Sequence, residues 1–194
     1  AGYPSIILLE EPQAAFYAWL HHQGDNWRKH ISVGDTVLVV DIGGGTTDFS
    51  LIQVEDSEGS LSLNRLAVGS HLLLGGDNID LALAHIAKQK IEEAGSPLDD
   101  WQFQALTHAC RTAKETLLGE NPPASLKITV PGRGKKLIGN SLSTTLTSDE
   151  INKFLLDGFF PLVPKEELSP IEKRSGIQQI GLPYTQDPRI SCQI

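Results

Sequence analysis

The residues best suited to chemistry form one short run, Asp41-Ile-Gly-Gly-Gly-Thr-Thr-Asp48, which we call the glycine hairpin. Its three glycines, Gly43, Gly44 and Gly45, leave the backbone bare, so that successive N–H groups can surround an anion such as a phosphate. Thr46 adds a hydroxyl donor. The Asp41 carboxylate would repel a phosphate by about 4 kcal/mol for unit charges 4 Å apart at an effective dielectric constant near 20. The pattern therefore predicts an intervening cation, and Mg²⁺ held through its waters is the natural candidate.

Other phosphate motifs fit the chain less well. It contains no GxxxxGK[ST] loop, and a GxGxxG interpretation fails at Asp48, where the third glycine should stand. It also fails because an apolar strand pattern, not a helix, follows the turn. A plain flexible hairpin is the simpler alternative, although two carboxylates and Thr46 are more than a turn needs.

The elements around the glycine hairpin can be predicted from apolar spacing. Ile6–Leu9 has the pattern of a short buried strand, and Glu11-Pro12 is typical of a helix start. Residues 36–68 have the pattern of a three-stranded antiparallel meander. Because residues 37–40 are apolar without alternation, we expect the first of these strands to be covered on both faces.

The second half of the chain has mainly helical patterns. Gly75-Gly76 leads into a predicted helix that ends before Gly95, and a second helix begins at Asp99-Asp100. Leu126–Val130 alternates as a strand, with Lys136–Ser143 as its expected partner. A capping box, Thr147 to Glu150, opens a last helix. The tail after Pro161 is predicted to be loop with at most one short helix.

Composition excludes several classes of protein. The chain has 194 residues, 40% of them hydrophobic, and a net charge of −8, which argues against non-specific binding to nucleic acid. No apolar run approaches the roughly 20 residues that span a bilayer. With two cysteines and no signal-peptide pattern, we expect a cytoplasmic protein. Because residue 1 is not Met and the chain opens on an apolar run, we expect a fragment of a longer protein.

Four segments carry a family resemblance. The glycine hairpin is similar to the second phosphate motif of the actin-like ATPase superfamily. Glu11-Pro-Gln-Ala-Ala15 resembles the N-E-P-T-A-A segment of the seventy-kilodalton heat-shock chaperones, Gly75-Gly-Asp-Asn-Ile-Asp80 resembles their G-G-E-D-F-D, and Ala109-Cys-Arg-Thr-Ala-Lys-Glu-Thr-Leu117 resembles their A-C-E-R-A-K-R-T-L. The resemblance runs from about Ile6 to Phe160.

The resemblance implies an α/β fold and a division into subdomains. The chain would be the second lobe of the nucleotide-binding ATPase domain. Residues 1–74 and 147–194 would form its ribonuclease-H-like sheet-and-helix base. Residues 75–146 would form an inserted, smaller α+β subdomain.

The resemblance also implies roles for residues in binding ATP or ADP with Mg²⁺. Glu11 and Asp41 would hold waters of the Mg²⁺ shell, and Asp41 would orient the attacking water. Gly43, Gly44, Gly45 and Thr46 would contact the β- and γ-phosphates. In the second half, Gly75 and Gly76 would approach phosphate or ribose, and Lys114, with Arg111 on the same helix, would lie along the adenosine.

The chain departs from the family pattern near the expected adenosine. Arg111 stands where the family has Glu, Glu115 where it has Arg, and Leu118 where it has Ser. Arg111 and Glu115 are four residues apart, so that swapped charges can still pair on one helical face. The alternative is that adenine is held differently.

The function predicted from this resemblance is the nucleotide-binding lobe of a chaperone ATPase. Its partners would be the nucleotide, the first lobe and peptide-binding module of the parent chain, and a co-chaperone or exchange factor, but no nucleic acid and no membrane. The isolated chain should have almost no ATPase activity, because half of the catalytic groups are missing. Two alternatives stay open, a lobe of a sugar-type kinase of the same superfamily and a non-catalytic scaffold that binds nucleotide or a partner.

Overall fold

The computed structural model describes residues 6, 8–132, 141–164, 167 and 187–194. The chain divides into two compact units, residues 1–73 and 74–194. The predicted division into a base and an inserted subdomain stays a prediction. The elements, in chain order, are α1 Glu11–Gln23, a 3-10 helix Gly24–Lys29, β1 Thr36–Ile42, β2 Thr47–Ser57, β3 Ser60–Val68, α2 Gly76–Glu93, α3 Asp100–Leu117, β4 Ser125–Val130, β5 Leu142–Thr147, α4 Ser148–Gly158 and a 3-10 turn Ile190–Cys192.

A three-stranded antiparallel sheet organises the first unit. Its strand order is β1-β2-β3, which confirms the predicted meander. The register pairs Val37 with Ile52 and Asp41 with Asp48. A β-bulge interrupts the pairing of β2 with β3 next to Leu51 and Ile52. The glycine hairpin thus joins the two strands whose ends carry the two carboxylates.

One face of this sheet is packed against α1. Phe16 and Leu20 from the helix form a core with Ile52, Val54 and Leu63 from the sheet, and six partly buried side chains pack around it. The sheet residues of this core alternate along their strands, as the twofold period of a strand requires. The six partly buried side chains around this core are Trp19, Trp27, Ile31, Val37, Val39 and Leu61.

The opposite face of the sheet differs from the prediction. Leu38, Val40, Ile42 and Leu51 are 37–42% exposed, so the expected cover on both faces of β1 is wrong for the described residues. Apolar residues on both faces make a strand suitable for burial on both sides. Burial of the second face also requires a second packing layer. In the described part of the chain, the packing layer formed by α1 with Trp27 and Ile31 covers one face of the sheet.

The predicted strand at Ile6–Leu9 is also wrong where the structure describes it. Ile6, Leu8 and Leu9 belong to no strand and are 54–90% exposed. Ile7 lies outside the described residues. A strand needs a neighbour with which to pair its backbone, and apolar composition alone does not supply one.

The second unit is built on two long helices and a two-stranded sheet. Helices α2 and α3 pack against each other, α3 packs on β4, and α2 and α4 pack on β5. Helices α2 and α3 confirm the predicted ones, and β4 confirms the predicted strand. Strand β5 pairs antiparallel with β4 and lies later in the chain than the expected Lys136–Ser143, of which residues 136–140 are outside the described part. The described core of the unit includes Leu83, Ala84, Ala87, Ile91, Leu106, Cys110, Ala113, Leu117, Ile128, Val130, Leu146 and Ile151.

Side-chain caps fix where two of these helices begin. Asp99 accepts a hydrogen bond from the Gln102 N–H, and the Gln102 side chain accepts one from the Asp99 N–H. Thr147 and Glu150 form the same reciprocal pair at the start of α4, which confirms the capping box predicted there. Such caps satisfy N–H groups that the first helical turn leaves without partners.

Residues 165, 166 and 168–186, in the predicted loop tail, lie outside the described residues. The last described segment contains one short 3-10 turn, Ile190–Cys192. In the described part of the chain, no helix combines the length and apolar character that crossing a membrane requires.

The two faces of β2 predict different responses to truncation. Ile52 is fully buried on the α1 side, and its neighbour Leu51 is 37% exposed on the other. We expect Ile52→Ala to lower the free energy of unfolding by about 2–5 kcal/mol. Leu51→Ala should lower it by about 1 kcal/mol or less, because the side chain is already partly in water. Urea unfolding followed by circular dichroism measures both. Equal losses would contradict the assignment of the packed face.

Candidate functional site

The glycine hairpin is held in place by backbone hydrogen bonds at its base. The Gly43 N–H donates to the Thr46 carbonyl oxygen at 2.8 Å. Thr47, next along the chain, pairs with Leu72 through two backbone hydrogen bonds of 3.0 and 3.1 Å. Thr47 is fully buried. The turn is therefore fixed by the strands around it, and a ligand would not have to form it.

The fold itself does not require the glycines of this turn. The described glycines with left-handed φ are Gly24, Gly34, Gly59 and Gly95, so the hairpin glycines are not needed for backbone conformation. A Cβ built on Gly45 would meet nothing within 4 Å, and one on Gly43 would come no closer than 3.4 Å to the Thr46 carbonyl oxygen. Open space therefore lies beside bare backbone, as close approach of an anion requires.

Two carboxylates face each other at the base of this hairpin. Asp41 and Asp48 are cross-strand partners in β1 and β2, an arrangement in which like charges repel. Asp48 forms an ion pair with the His71 imidazole when that ring is protonated. No described cation of the first unit pairs with half-buried Asp41. This leaves one carboxylate beside the turn whose charge the unit does not balance.

Glu11 is the other acidic residue expected near the nucleotide. It is the first residue of α1 and is exposed, and α1 packs against β1, the strand that carries Asp41. The preceding residue, Glu10, forms an ion pair with Arg65, which ties the start of α1 to β3. The structure thus places Glu11 and Asp41 on neighbouring elements of one unit.

The remaining predicted residues belong to the second unit. Gly75 precedes α2 and Gly76 begins it. The Gly75 N–H donates to the Asn78 side-chain oxygen at 2.9 Å. Lys114 on α3 donates to the Gly76 carbonyl oxygen at 3.0 Å. Lys114 is thereby brought to the start of α2.

Lys114 has a second partner that the sequence did not predict. Its ammonium lies 2.7 Å from a carboxylate oxygen of Asp80, and the two side chains are 15% and 5% exposed. Asp80 lies on the same face of α2 as Leu83 and Ala84, which are buried. A buried carboxylate needs a charged partner, and its position on this apolar face was the signal that could have revealed the pair.

Arg111 lies one turn before Lys114 and is exposed. It donates to the Glu115 carboxylate at 3.1 Å, so the swapped charges do pair, as the spacing predicted. This hydrogen bond raises the pKa of Arg111, as do the carboxylates of Glu115, Asp77 and Asp80. The departure from the family pattern at these two positions therefore preserves a local ion pair.

Comparison with known proteins identifies the family of the chain. A family model described as Hsp70 protein matches residues 1–159. The chain belongs to the Hsp70 family. A chaperone protein HscA homolog of Acinetobacter baylyi is 36% identical over 117 residues, which are 60% of this chain and 17% of that relative. HscA homologs of Acinetobacter baumannii, in strains AYE and ACICU, are 32% identical over the same coverage.

This membership confirms the resemblance and the α/β, actin-like ATPase fold class predicted from the motifs. The chain aligns with about a sixth of the length of the HscA homologs. The roles of the individual residues in this chain stay predictions.

Cys110, which is buried on α3, makes the stability of this Hsp70-family chain depend on pH. Burial, and secondarily the Asp80 carboxylate, raises the pKa of the Cys110 thiol from 9.0 to about 12. The unfolded chain loses this proton first, so stability should fall by about 1 kcal/mol per pH unit as the pH rises from about 9 to 12. Cys110→Ala should remove that part of the slope. Urea unfolding between pH 8 and 11 measures the difference, and parallel curves would contradict the assignment.

Proposed function

We propose that the chain is the ATP- and ADP-binding lobe of a chaperone ATPase of the Hsp70 type. The observation that supports this most directly is the glycine hairpin, where bare backbone with open space beside it adjoins an Asp41 carboxylate that its own unit leaves unbalanced. A phosphate together with a divalent cation would satisfy both features. No contact among the described residues favours the sugar-type kinase or the non-catalytic scaffold.

The residues of the hairpin have complementary roles in this proposal. The backbone N–H groups of Gly44, Gly45 and Thr46 would donate to phosphate oxygens, and the Thr46 hydroxyl would add a further donor. Because the turn is already fixed by the Gly43–Thr46 hydrogen bond, these donors need little reorganisation to receive a developing negative charge.

Mg²⁺ fits the acidic residues present in the first unit. The described residues contain no cluster of three or more side chains able to enclose a metal ion. Mg²⁺ does not need one, because it is commonly bound by one or two carboxylates, waters and substrate phosphates. Asp41 and Glu11 would hold its waters, and the ion would neutralise phosphate charge. Asp41 would also accept a hydrogen bond from the attacking water and so orient it toward the γ-phosphate.

The second unit would supply contacts to the nucleoside. Lys114 is joined by a hydrogen bond to Gly76, which follows Gly75 at the start of α2, and Arg111 lies on the same helix as Lys114. In a longer parent chain, a first lobe would complete the catalytic groups and a peptide-binding module would use the nucleotide-driven change. An exchange factor and a cytoplasmic location belong to the same proposal. The HscA homologs, which are named as chaperone proteins, support it.

The role of Asp41 predicts a response that depends on Mg²⁺. We expect Asp41→Asn to weaken ADP binding about tenfold when Mg²⁺ is present, because the ion loses a charged partner for its waters. Without Mg²⁺ the variant should bind ADP at least as tightly as the original chain, because repulsion between carboxylate and phosphate is removed. Isothermal titration with and without Mg²⁺ measures both, and amide NMR shifts at residues 43–46 locate the ligand.

Asp25→Asn is the matched control for this change. It removes the same charge from the same unit, but Asp25 is fully exposed and has only a long ion pair of 3.8 Å with Arg28. It should leave ADP affinity unchanged under both conditions. An equal effect of the two substitutions, or the absence of any shift at residues 43–46 in ADP and Mg²⁺, would argue against the proposed function.

A further inference from the structure

Asp80 and Lys114 form the most enclosed ion pair described in the second unit. They are 2.7 Å apart, and their side chains are 5% and 15% exposed. The same ammonium donates a hydrogen bond to the Gly76 carbonyl oxygen at 3.0 Å. The ion pair and the hydrogen bond hold the end of a long, flexible side chain against the start of α2.

Stability alone does not explain this pair. Removing two charges from water costs several kcal/mol per ion, and a well-packed apolar pair is often at least as stable. Asp80 lies on the helical face that packs into the core beside Leu83 and Ala84, where an apolar residue would be the simpler choice. The pair therefore calls for a reason other than packing.

The neighbouring charges do not offer Asp80 an alternative partner. Arg111, one turn from Lys114 on α3, acts on Asp80 through its charge, but its guanidinium is hydrogen-bonded to Glu115 instead. Asp77 adds a second carboxylate near the guanidinium of Arg111. Cys110 holds its proton, since its thiol is buried. Lys114 thus remains the cation that balances Asp80.

We propose that Asp80 is a positioning residue, which fixes the Lys114 ammonium beside Gly76 and cancels its charge. The inference rests on the proposed function, in which Lys114 lies along the nucleoside. A free lysine attracts any polyphosphate by its charge. A neutralised and oriented lysine acts as a directed hydrogen-bond donor, which suits the uncharged sugar and base of the nucleotide.

This difference can be measured with two ligands, ADP and inorganic pyrophosphate, each with Mg²⁺. Asp80→Asn should weaken ADP binding about tenfold, because the ammonium is no longer held in one orientation. The same variant should bind pyrophosphate as tightly as the original chain or more tightly, because a positive charge has been released. Isothermal titration of both ligands gives the ratio of their affinities. A merely structural role of Asp80 would not lower ADP affinity relative to pyrophosphate affinity.

Two further variants test whether Asp80 acts through Lys114. Lys114→Gln should weaken ADP binding by a similar factor and leave pyrophosphate binding unchanged. Because Lys114→Gln leaves a buried carboxylate without its partner and can prevent folding, the double variant Asp80→Asn/Lys114→Gln is the safer measurement. It should bind ADP no more weakly than Asp80→Asn alone, since both changes remove one contact, while its melting temperature exceeds that of Lys114→Gln.

Glu92→Gln is the matched control. It removes a carboxylate from the same helix, where Glu92 has only a long, exposed pair of 3.8 Å with Lys88, and it should change neither affinity. ADP binding that survives Asp80→Asn unchanged, or a loss that is equal for ADP and pyrophosphate, would overturn the role of Asp80. If the original chain binds neither ligand, the proposed function fails, and the role of Asp80 fails with it. Titration of the original chain therefore distinguishes a failure of the proposed function from a failure of the role of Asp80 alone.

Discussion

The register between β1 and β2 is the constraint on which the first unit depends. It places Val37 opposite Ile52 on the face that α1 covers, and it places Asp41 opposite Asp48 at the end of the same strands. Because side chains alternate with a period of two, a slip of one residue would turn both core and carboxylates to the other face. The packing of Val37 and Ile52 at one end of the strands therefore also determines where the two carboxylates lie at the other end.

The second unit relies on a different interaction, a charge enclosed between two helices. Asp80 on α2 lies 2.7 Å from Lys114 on α3, and an arrangement of the helices that separated them would leave a buried charge unpaired. A buried ion pair contributes little net stability, but it penalises arrangements that separate its partners. The helix pair thus joins Lys114 to the backbone of Gly76.

Much of this structure could be predicted from local patterns. The meander, the helices and the capping box at Thr147 follow from spacing, turn residues and caps, each of which acts within a few positions of the chain. The errors at Ile6–Leu9 and on the outer face of β1 concern burial, which depends on a packing layer that local sequence does not specify. Asp80 was missed for a related reason, because its partner lies 34 positions away along the chain.

The outer face of the sheet has a consequence for handling the protein. Leu38, Val40, Ile42 and Leu51 expose adjoining apolar surface, and β1 ends the sheet in the described residues with one side of its backbone unpaired. Surfaces of this kind promote self-association and strand addition. Concentration and ionic strength will therefore determine how long the chain stays monodisperse. A net charge of −8 provides the mutual repulsion that opposes aggregation, and added salt weakens it.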